Sequence, residues 1–422
     1  MMAHWTRPLG DRAERLLRDL ASSTAIPGEI TRLFLTPEHR QAIEKVGAWM
    51  RQAGMTTSED ALGTIRGLYC PPGVTPSDKR LLIGSHIDTV INAGAYDGCF
   101  GVIAGLIAVD EIRRRKLKLP FAIEVLGFGD EEGVRFPGAL TSSQAIAGHF
   151  DPASLDKADK QGVTLADAIR AFGNDPEKIA LAAYDPAKVM AYLEVHIEQG
   201  PVLEYEGLPL GVVTAIASVT RANIRISGEA GHAGTVPMRL RHDAFSAIAE
   251  LALVIENVAK GDAENGLVGT IGRVEVLPGA INVIPDRVNA TLDLRSGTDS
   301  SRWKALAEIR KAAREIAARR GVTIAIDPFH EVPVTPCAPH LQNAIARTIQ
   351  ELGFPVLKLP SGAGHDGQAV AHLTEVGMIF VRCAGGISHN PAEHATVADM
   401  GLAIEALIRV IEKLGDEERN RS

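Results

Sequence analysis

Cysteine is scarce in this 422-residue chain: there are four, Cys70, Cys99, Cys337 and Cys383, and no two form a C-x-x-C pair. A disulfide framework is not expected in so long a chain, and a thiolate zinc site has no spacing to build on. Four reduced thiols of a cytoplasmic protein is the reading that remains. Basic charge is also short, with 44 Lys and Arg against 52 Asp and Glu and a net charge of −8. A nucleic-acid partner would call for a basic face. No apolar run reaches the length that spans a bilayer, so no membrane partner is expected. The N-terminal MMAHWTRPLGDRAERLLRDL has no apolar signal core and reads as a surface helix. No G-x-S-x-G elbow supports a serine hydrolase. GAGHDG (362–367) fits G-x-G-x-x-G but comes late and lacks the acidic residue further on, so a dinucleotide fold is not expected.

What is present is 45% hydrophobic and 23% charged, the balance of a globular protein. The length exceeds one ordinary core, so two domains are expected. Residues 80–85 read as a strand, 101–116 as a helix with Arg113, Arg114, Arg115 and Lys116 in its last turn, and 121–127 as the next strand. That βαβ unit predicts a parallel or mixed sheet with helices on both faces. The late segment repeats the habit: helix 340–352, strand 355–359, helix 368–373, strand 377–382 and helix 397–414. The middle alternates like half-exposed strands at 222–228, 267–276, 288–295 and 322–327, with helices at 243–260 and 302–320. This predicts a small α+β domain at 216–331, inserted into a larger α/β domain made of 1–215 and 332–422.

Ligands of open α/β sheets gather at the carboxyl ends of strands. The chain puts polar loops there. GSHIDTVINAGAYDG carries His86, Asp88 and Asp97, and the next strand leads into Asp130, Glu131 and Glu132. In YLEVHIEQ (192–199), Tyr192, Glu194 and His196 share one face and Leu193, Val195 and Ile197 the other. GGISHNPAEH, after the strand at 377–382, carries His389 and His394. Singly, each reads as a surface histidine or a solvated acidic turn. Together they crowd like charges at one sheet edge, and a divalent cation resolves that repulsion. Histidine and carboxylate without cysteine suit catalytic Zn²⁺, Mn²⁺ or Co²⁺. His86, Asp97, Glu132, His196 and His389 suffice for a pair of ions sharing one carboxylate, and such a pair activates water. One carboxylate must stay outside to take the proton. Adjacent Glu131 and Glu132 can divide those tasks, and Asp88 can orient His86 from behind.

A second cluster lies in the middle domain. GEAGHAGTVPM (228–238) puts His232 in a glycine-rich loop, where backbone can approach a ligand. Asn282 precedes a strand in GAINVIP, and Arg295 projects from the polar face of 288–295 beside Asp293. An arginine fork binds carboxylate in bidentate fashion, but on residue type alone a salt bridge to Asp293 is the preferred reading of Arg295.

GSHIDTVINAGAYDG, DEEGVRFPGALTSSQAIAG, EVHIEQGPVLE, GEAGHAGTVPM, GAINVIPDRVNATLDLR, SGAGHDG and GISHNPAEH occur in this order, from about residue 30 to about residue 410. The chain resembles the amidase/hydantoinase/carbamoylase branch of the M20 di-metal hydrolases. The resemblance implies an α/β, mixed-sheet catalytic domain with helices on both faces and an inserted α+β lid and dimerisation domain. It implies His86, Asp97, Glu132, His196 and His389 as ligands of two Zn, Mn or Co ions, with Asp97 bridging. Glu131 would be the general base and Asp88 the partner of His86. Gln199, His232, Asn282 and Arg295 would hold a small ureido or carbamoyl carboxylate, which raises Arg295 to a carboxylate clamp. The branch is homodimeric through the inserted domain, with His232 and Asn282 reaching the neighbour's site. The implied activity is hydrolysis of an N-carbamoyl-L-amino acid to the L-amino acid, CO2 and NH3. GTIGRVEVLPGAINVIPDRV and GLPLGVVTAIA favour this over an allantoate amidohydrolase. The Gln199, Asn282 and Arg295 motifs speak against an M20 aminopeptidase or aminoacylase. A non-catalytic ureide-binding module is the reading from another class. Ser142, Ala93, Ala95 and Cys99 depart from the expected motif residues.

Overall fold

The computed structural model describes residues 6–421. The start of the expected N-terminal surface helix, residues 1–5, lies outside them. The described part, Arg7–Ala21, is not a bare surface helix: Leu9, Ala13, Leu17 and Leu20 face inward and join the main core. The chain forms two compact units. One runs up to Thr214 and includes Cys337–Leu359 and everything from Gly364 on; the other is Ala215–Pro336 with Pro360–Ala363. Among the described residues no helix is long and apolar enough to cross a membrane.

In the first unit a mixed sheet runs in the order Thr56–Glu59, Ile65–Tyr69, Ala122–Phe128, Arg80–His86, Val189–Ile197, Val376–Val381 and Leu210–Ile216. The central strands are near-continuous apolar runs, such as Leu81, Leu82 and Ile83, because both faces of a parallel sheet are covered. Arg80–His86 is parallel to Ala122–Phe128, with His86 opposite Phe128. Val376–Val381 is parallel to Val189–Ile197, with Phe380 opposite His196. Arg80–His86 and Val189–Ile197 are parallel as well. Four strands therefore end at one edge of the sheet, and their following loops leave from that edge.

The alternation in Val189–Ile197 is as expected. Leu193, Val195 and Ile197 enter the main core, and Tyr192, Glu194 and His196 are buried on the opposite face. The connecting helix Cys99–Arg115 is buried along most of its length, with Arg113, Arg114 and Arg115 in its last turn, where the helix dipole favours them. Two pieces of this unit carry signals that the hydrophobic pattern does not. Helix Pro37–Gln52 is capped by Thr36, whose side chain accepts from the His39 amide, with Pro37 in the first turn. Strand Thr56–Glu59 (TTSE) is a polar edge strand without alternation to reveal it.

The second unit has a four-stranded antiparallel sheet, ordered Thr323–Val332, Ser218–Ser227, Arg287–Ser296, Val268–Leu277. Its apolar face (Ala222, Ile224, Ile226, Val288, Ala290, Leu292 and Leu294) shares a core with residues of helices Ala244–Lys260 and Asp299–Arg320. Some boundaries differ from expectation. The strand expected at 322–327 continues to Val332, because a register shift between Pro328 and His330 accommodates a residue with no amide hydrogen. The strand expected at 355–359 is Lys358–Ser361, the helix expected at 368–373 is the single turn Gly367–Val370, and the last helix runs past 414 to Arg421.

Candidate metal centre

The loops at the shared sheet edge bring five of the predicted residues together. Asp97 sits at the centre. Its Oδ1 lies 3.5 Å from His86 Nε2 and 3.1 Å from His196 Nε2, while its Oδ2 lies 3.3 Å from His389 Nε2. Glu132 Oε2 stands 3.5 Å from the same His389 nitrogen. Four three-residue donor groups result: His86–Asp97–His196 and Asp97–Glu132–His389, which share Asp97, together with His86–Glu131–Glu132 and Glu194–His196–His365. Glycine is required where the helix Cys99–Arg115 begins. Gly98 has φ 62°, and a Cβ there would overlap the His86 imidazole.

Asp88 does more than orient His86. The imidazole Nδ1 faces the Asp88 backbone carbonyl at 3.0 Å, with the carboxylate Oδ1 3.6 Å away. Its two oxygens accept the amides of Glu131 and Glu132, each at 3.2 Å. One side chain thus sets both neighbouring glutamates. The preceding Asp130 has φ 66°, an uncommon backbone state for a non-glycine residue, and accepts from Thr141. Ser142, one of the motif departures, hydrogen-bonds both the carbonyl and the amide of Gly129 and so braces the same loop. Cys99, another, lies 3.1 Å from a nitrogen of the fully buried Arg32, whose Nε donates to the Ile87 carbonyl at 2.6 Å.

The electrostatics are those of crowded carboxyls. Burial pushes Glu131 well above the ordinary carboxylate range; His86 opposes this, and Asp366, Glu132 and Asp88 add to it. Burial likewise pushes Glu132 up to about 7. Burial alone would depress the imidazoles of His86 and His196. Asp88 and Asp97 instead hold His86 well above its usual value, and Asp97 raises His196. Asp97 resists the upward push of burial, and its three histidines hold it well below the usual carboxylate range. His196 Nε2 is buried and makes no well-formed hydrogen bond. Nitrogen and oxygen donors crowded in this way, one of them orphaned, fit a pair of divalent cations, whose binding relieves the repulsion and displaces the ring protons.

Sequence reasoning placed Tyr192 and Glu194 on the face of His196 but assigned no role to the layer behind the ligands. Glu194 accepts from Ser85 Oγ at 2.8 Å and from the Tyr192 hydroxyl at 3.1 Å. His365 packs edge-on against His196 with ring centroids 4.4 Å apart, and Asp366 is fully buried with neither carboxylate oxygen in a well-formed hydrogen bond. Their motif, SGAGHDG, counts toward the family resemblance and does not read as a dinucleotide loop, but no role was drawn for its His365 and Asp366. The adjoining His and Asp were the signal that it held. Gln199, expected on the substrate, gives its amide nitrogen to Asp97 Oδ2 at 2.8 Å and to Ser388 Oγ at 3.2 Å, while its buried Oε1 makes no hydrogen bond.

The remaining predicted residues belong to the second unit. His232 and Asn282 lie together in a short antiparallel ribbon: His232 pairs with Val283, and the Ala233 amide donates to the Asn282 carbonyl at 2.9 Å. Both side chains are exposed. Arg295 lies on the polar face of its strand, as expected. There it forks onto Asp293, at 2.7 Å and 3.0 Å, and its third nitrogen donates to the Gly362 carbonyl at 2.7 Å. In this structure the arginine makes the salt bridge that residue type alone had favoured.

The sheet edge and its donor set define a hydrolase class that works through two metal ions. Residues 82–413 match the profile of Peptidase family M20/M25/M40, and the chain belongs to this dinuclear metal-dependent family. It is 40% identical over 413 residues to an N-carbamoyl-L-amino acid amidohydrolase of Geobacillus stearothermophilus, covering 97% of this chain and 99% of the relative. It is 39% identical over 435 residues to an allantoate deiminase of Arabidopsis thaliana, covering 96% and 82%. Among solved structures, a hydantoinase/carbamoylase family amidase from Burkholderia multivorans superposes with a TM-score of 0.89 at 29% identity, covering 96% of this chain and 97% of that one.

Proposed function

We propose that this chain hydrolyses the ureido C–N bond of an N-carbamoyl-L-amino acid. One observation carries the reading: two donor groups share Asp97, and Glu131, which belongs to neither of those two, adjoins Glu132 with its amide held by Asp88. The similarity to an amidohydrolase of that substrate class supports it. Zn²⁺, Mn²⁺ or Co²⁺ bound there would lower the pKa of water and polarise the carbamoyl oxygen. His86 and His196 would hold one ion, Glu132 and His389 the other, and Asp97 both. Glu131 takes the proton from water, whose oxygen attacks the carbamoyl carbon. It returns that proton to the amine nitrogen as the C–N bond breaks. The carbamate released then decomposes to CO2 and ammonia. Gln199 accepts from the substrate's NH2 through its free Oε1. His232 supports the oxygen that gains negative charge. Asn282 and Arg295 hold the substrate, Arg295 by its carboxylate. The active form is a cytoplasmic homodimer joined through the second unit, with His232 and Asn282 supplied to the neighbouring subunit.

Allantoate is the second reading, favoured by the match to the plant allantoate deiminase over nearly the whole chain. Ammonia release from N-carbamoyl-L-methionine, allantoate and 3-ureidopropionate, with Mn²⁺ added, tests both. The highest kcat/KM is expected on the carbamoyl amino acid. No release from any of the three would remove hydrolysis and leave a ureide-binding module.

A further inference from the structure

We propose that Glu393 is the positioning residue that fixes the bridging carboxylate, Asp97, and ties its loop to the loop that carries His389. The inference rests on the reading of this centre as a two-cation site.

Glu393 is only 5% exposed, and among the described residues no lysine or arginine forms an ion pair with it. A carboxylate buried without a cation is costly unless hydrogen bonds compensate. Its compensation comes from one place. Oε1 accepts the backbone amides of Tyr96 at 2.8 Å and of Asp97 itself at 3.0 Å. Those residues lie 297 and 296 positions away in sequence, so the contact clamps two distant loops. Ser388 stands between the two acids. Its single hydroxyl proton has two acceptors, Asp97 Oδ2 at 2.6 Å and Glu393 Oε2 at 3.3 Å, and the shorter contact takes it.

The loop is built around this carboxylate. A Cβ on Gly94 would overlap the Glu393 side chain, so the backbone passes too close for any other residue. Gly94 does not have positive φ, which makes closeness rather than conformation the reason for glycine. His389, next to Ser388, has φ 55°, so the chain turns sharply to place its imidazole against Asp97. Three constraints therefore meet on Asp97: an amide clamp from Glu393, a hydroxyl from Ser388 and the Gln199 amide. Together they fix which of its oxygens faces which histidine. A bridging carboxylate must present both oxygens in set directions, and groups behind metal ligands commonly change affinity 10–100-fold when lost.

The test titrates the chelator-treated full chain with Zn²⁺ against a chromophoric competitor, and reads stoichiometry and affinity separately from activity. Wild type is expected to take up two ions. Glu393→Ala is expected to bind about 10–100-fold more weakly, with kcat reduced and KM little changed. Glu393→Gln keeps an oxygen for both amides and is expected within a few-fold of wild type. Gly94→Ala displaces the carboxylate without deleting a hydrogen-bonding group. It should weaken cation binding in the same sense, and it serves if Glu393→Ala does not fold. A merely structural role would lower Tm while leaving the affinity of the folded protein unchanged. Wild-type affinity in both Glu393→Ala and Gly94→Ala overturns the proposal while the two-cation reading stands. Uptake of fewer than two ions by wild type overturns that reading and this inference with it.

Discussion

In the first unit, Asp88, Asp97, Asp130, Glu194 and Asp366 have exposures between 0% and 6% and gather around histidines. In the second, acids stand on an open sheet face against arginines: the Arg225 and Asp327 side chains are 66% and 51% exposed, and those of Arg295 and Asp293 are 27% and 31% exposed. Both regions are rich in charge, but only the exposed one is balanced by arginine from the chain itself. Exposed pairs of this kind contribute about 0–1 kcal/mol and are screened by salt. Buried acids that the chain does not neutralise point to a partner from outside. The lesson is that counting charged residues does not find a site, whereas asking which charges lack a partner does.

The largest expected effect attacks the buried side of this contrast. Glu131→Gln should lower kcat by about 10²–10⁴-fold while both ions remain bound, read by turnover and metal analysis together. Near-normal turnover would remove Glu131 from proton transfer. Chelation comes next. Since the ions bind the folded state, protein held at about 100 times Kd should be about 2.7 kcal/mol more stable per ion bound than the stripped form, measured by denaturant unfolding. An unchanged midpoint would say that the crowded acids were never waiting for a cation.

A smaller effect probes the second unit. Arg295→Ala should raise KM about 10–100-fold for a substrate carboxylate and much less for the corresponding amide. Equal losses on both would mean that the salt bridge to Asp293 is its whole role. His39 offers a stability test inside the first unit but outside the ligand set. Burial pushes its imidazole down to about 3. The unfolded chain protonates this residue near its ordinary value and the folded chain does not, so unfolding takes up a proton between the two. Its contribution is complete above about pH 6.5 and is lost as pH falls, by about 1.4 kcal/mol per pH unit. Unfolding curves of wild type and His39→Gln between pH 6.5 and 4 should diverge with that slope. The smallest effect closes the comparison: Arg225→Ala should change stability by less than about 1 kcal/mol. A larger loss would show that the open face is not ordinary.

The parts of the centre legible in the sequence were those with a local signature. His86, Asp97, Glu132, His196 and His389 each sit just inside or beyond an apolar strand, and period-two alternation placed Glu194 and His196 on one face. The strand Ser218–Ser227 of the second unit shows its alternation as buried and exposed residues in turn, whereas the central strand Arg80–His86 of the large sheet is buried nearly throughout. Glu393 was not legible, although it lies in the quoted GISHNPAEH. An acid in a Pro-containing turn looks solvated until the turn is known to close on another loop. Arg32 was missed for the same reason, since what it holds, the Ile87 carbonyl, is 55 residues away.

By itself, then, the sequence determined which donor types are at hand and the strand ends from which their loops leave, because these depend on residue identity and short-range periodicity. Only the tertiary structure decided that Asp97 faces three histidines, that the Asp88 carboxylate accepts two amides, and that Glu393 closes on the Asp97 loop. These are contacts between side chains and loops, most of them far apart in the sequence. Parallel strand order and register bring those loops to one edge, and no local pattern encodes which loop meets which.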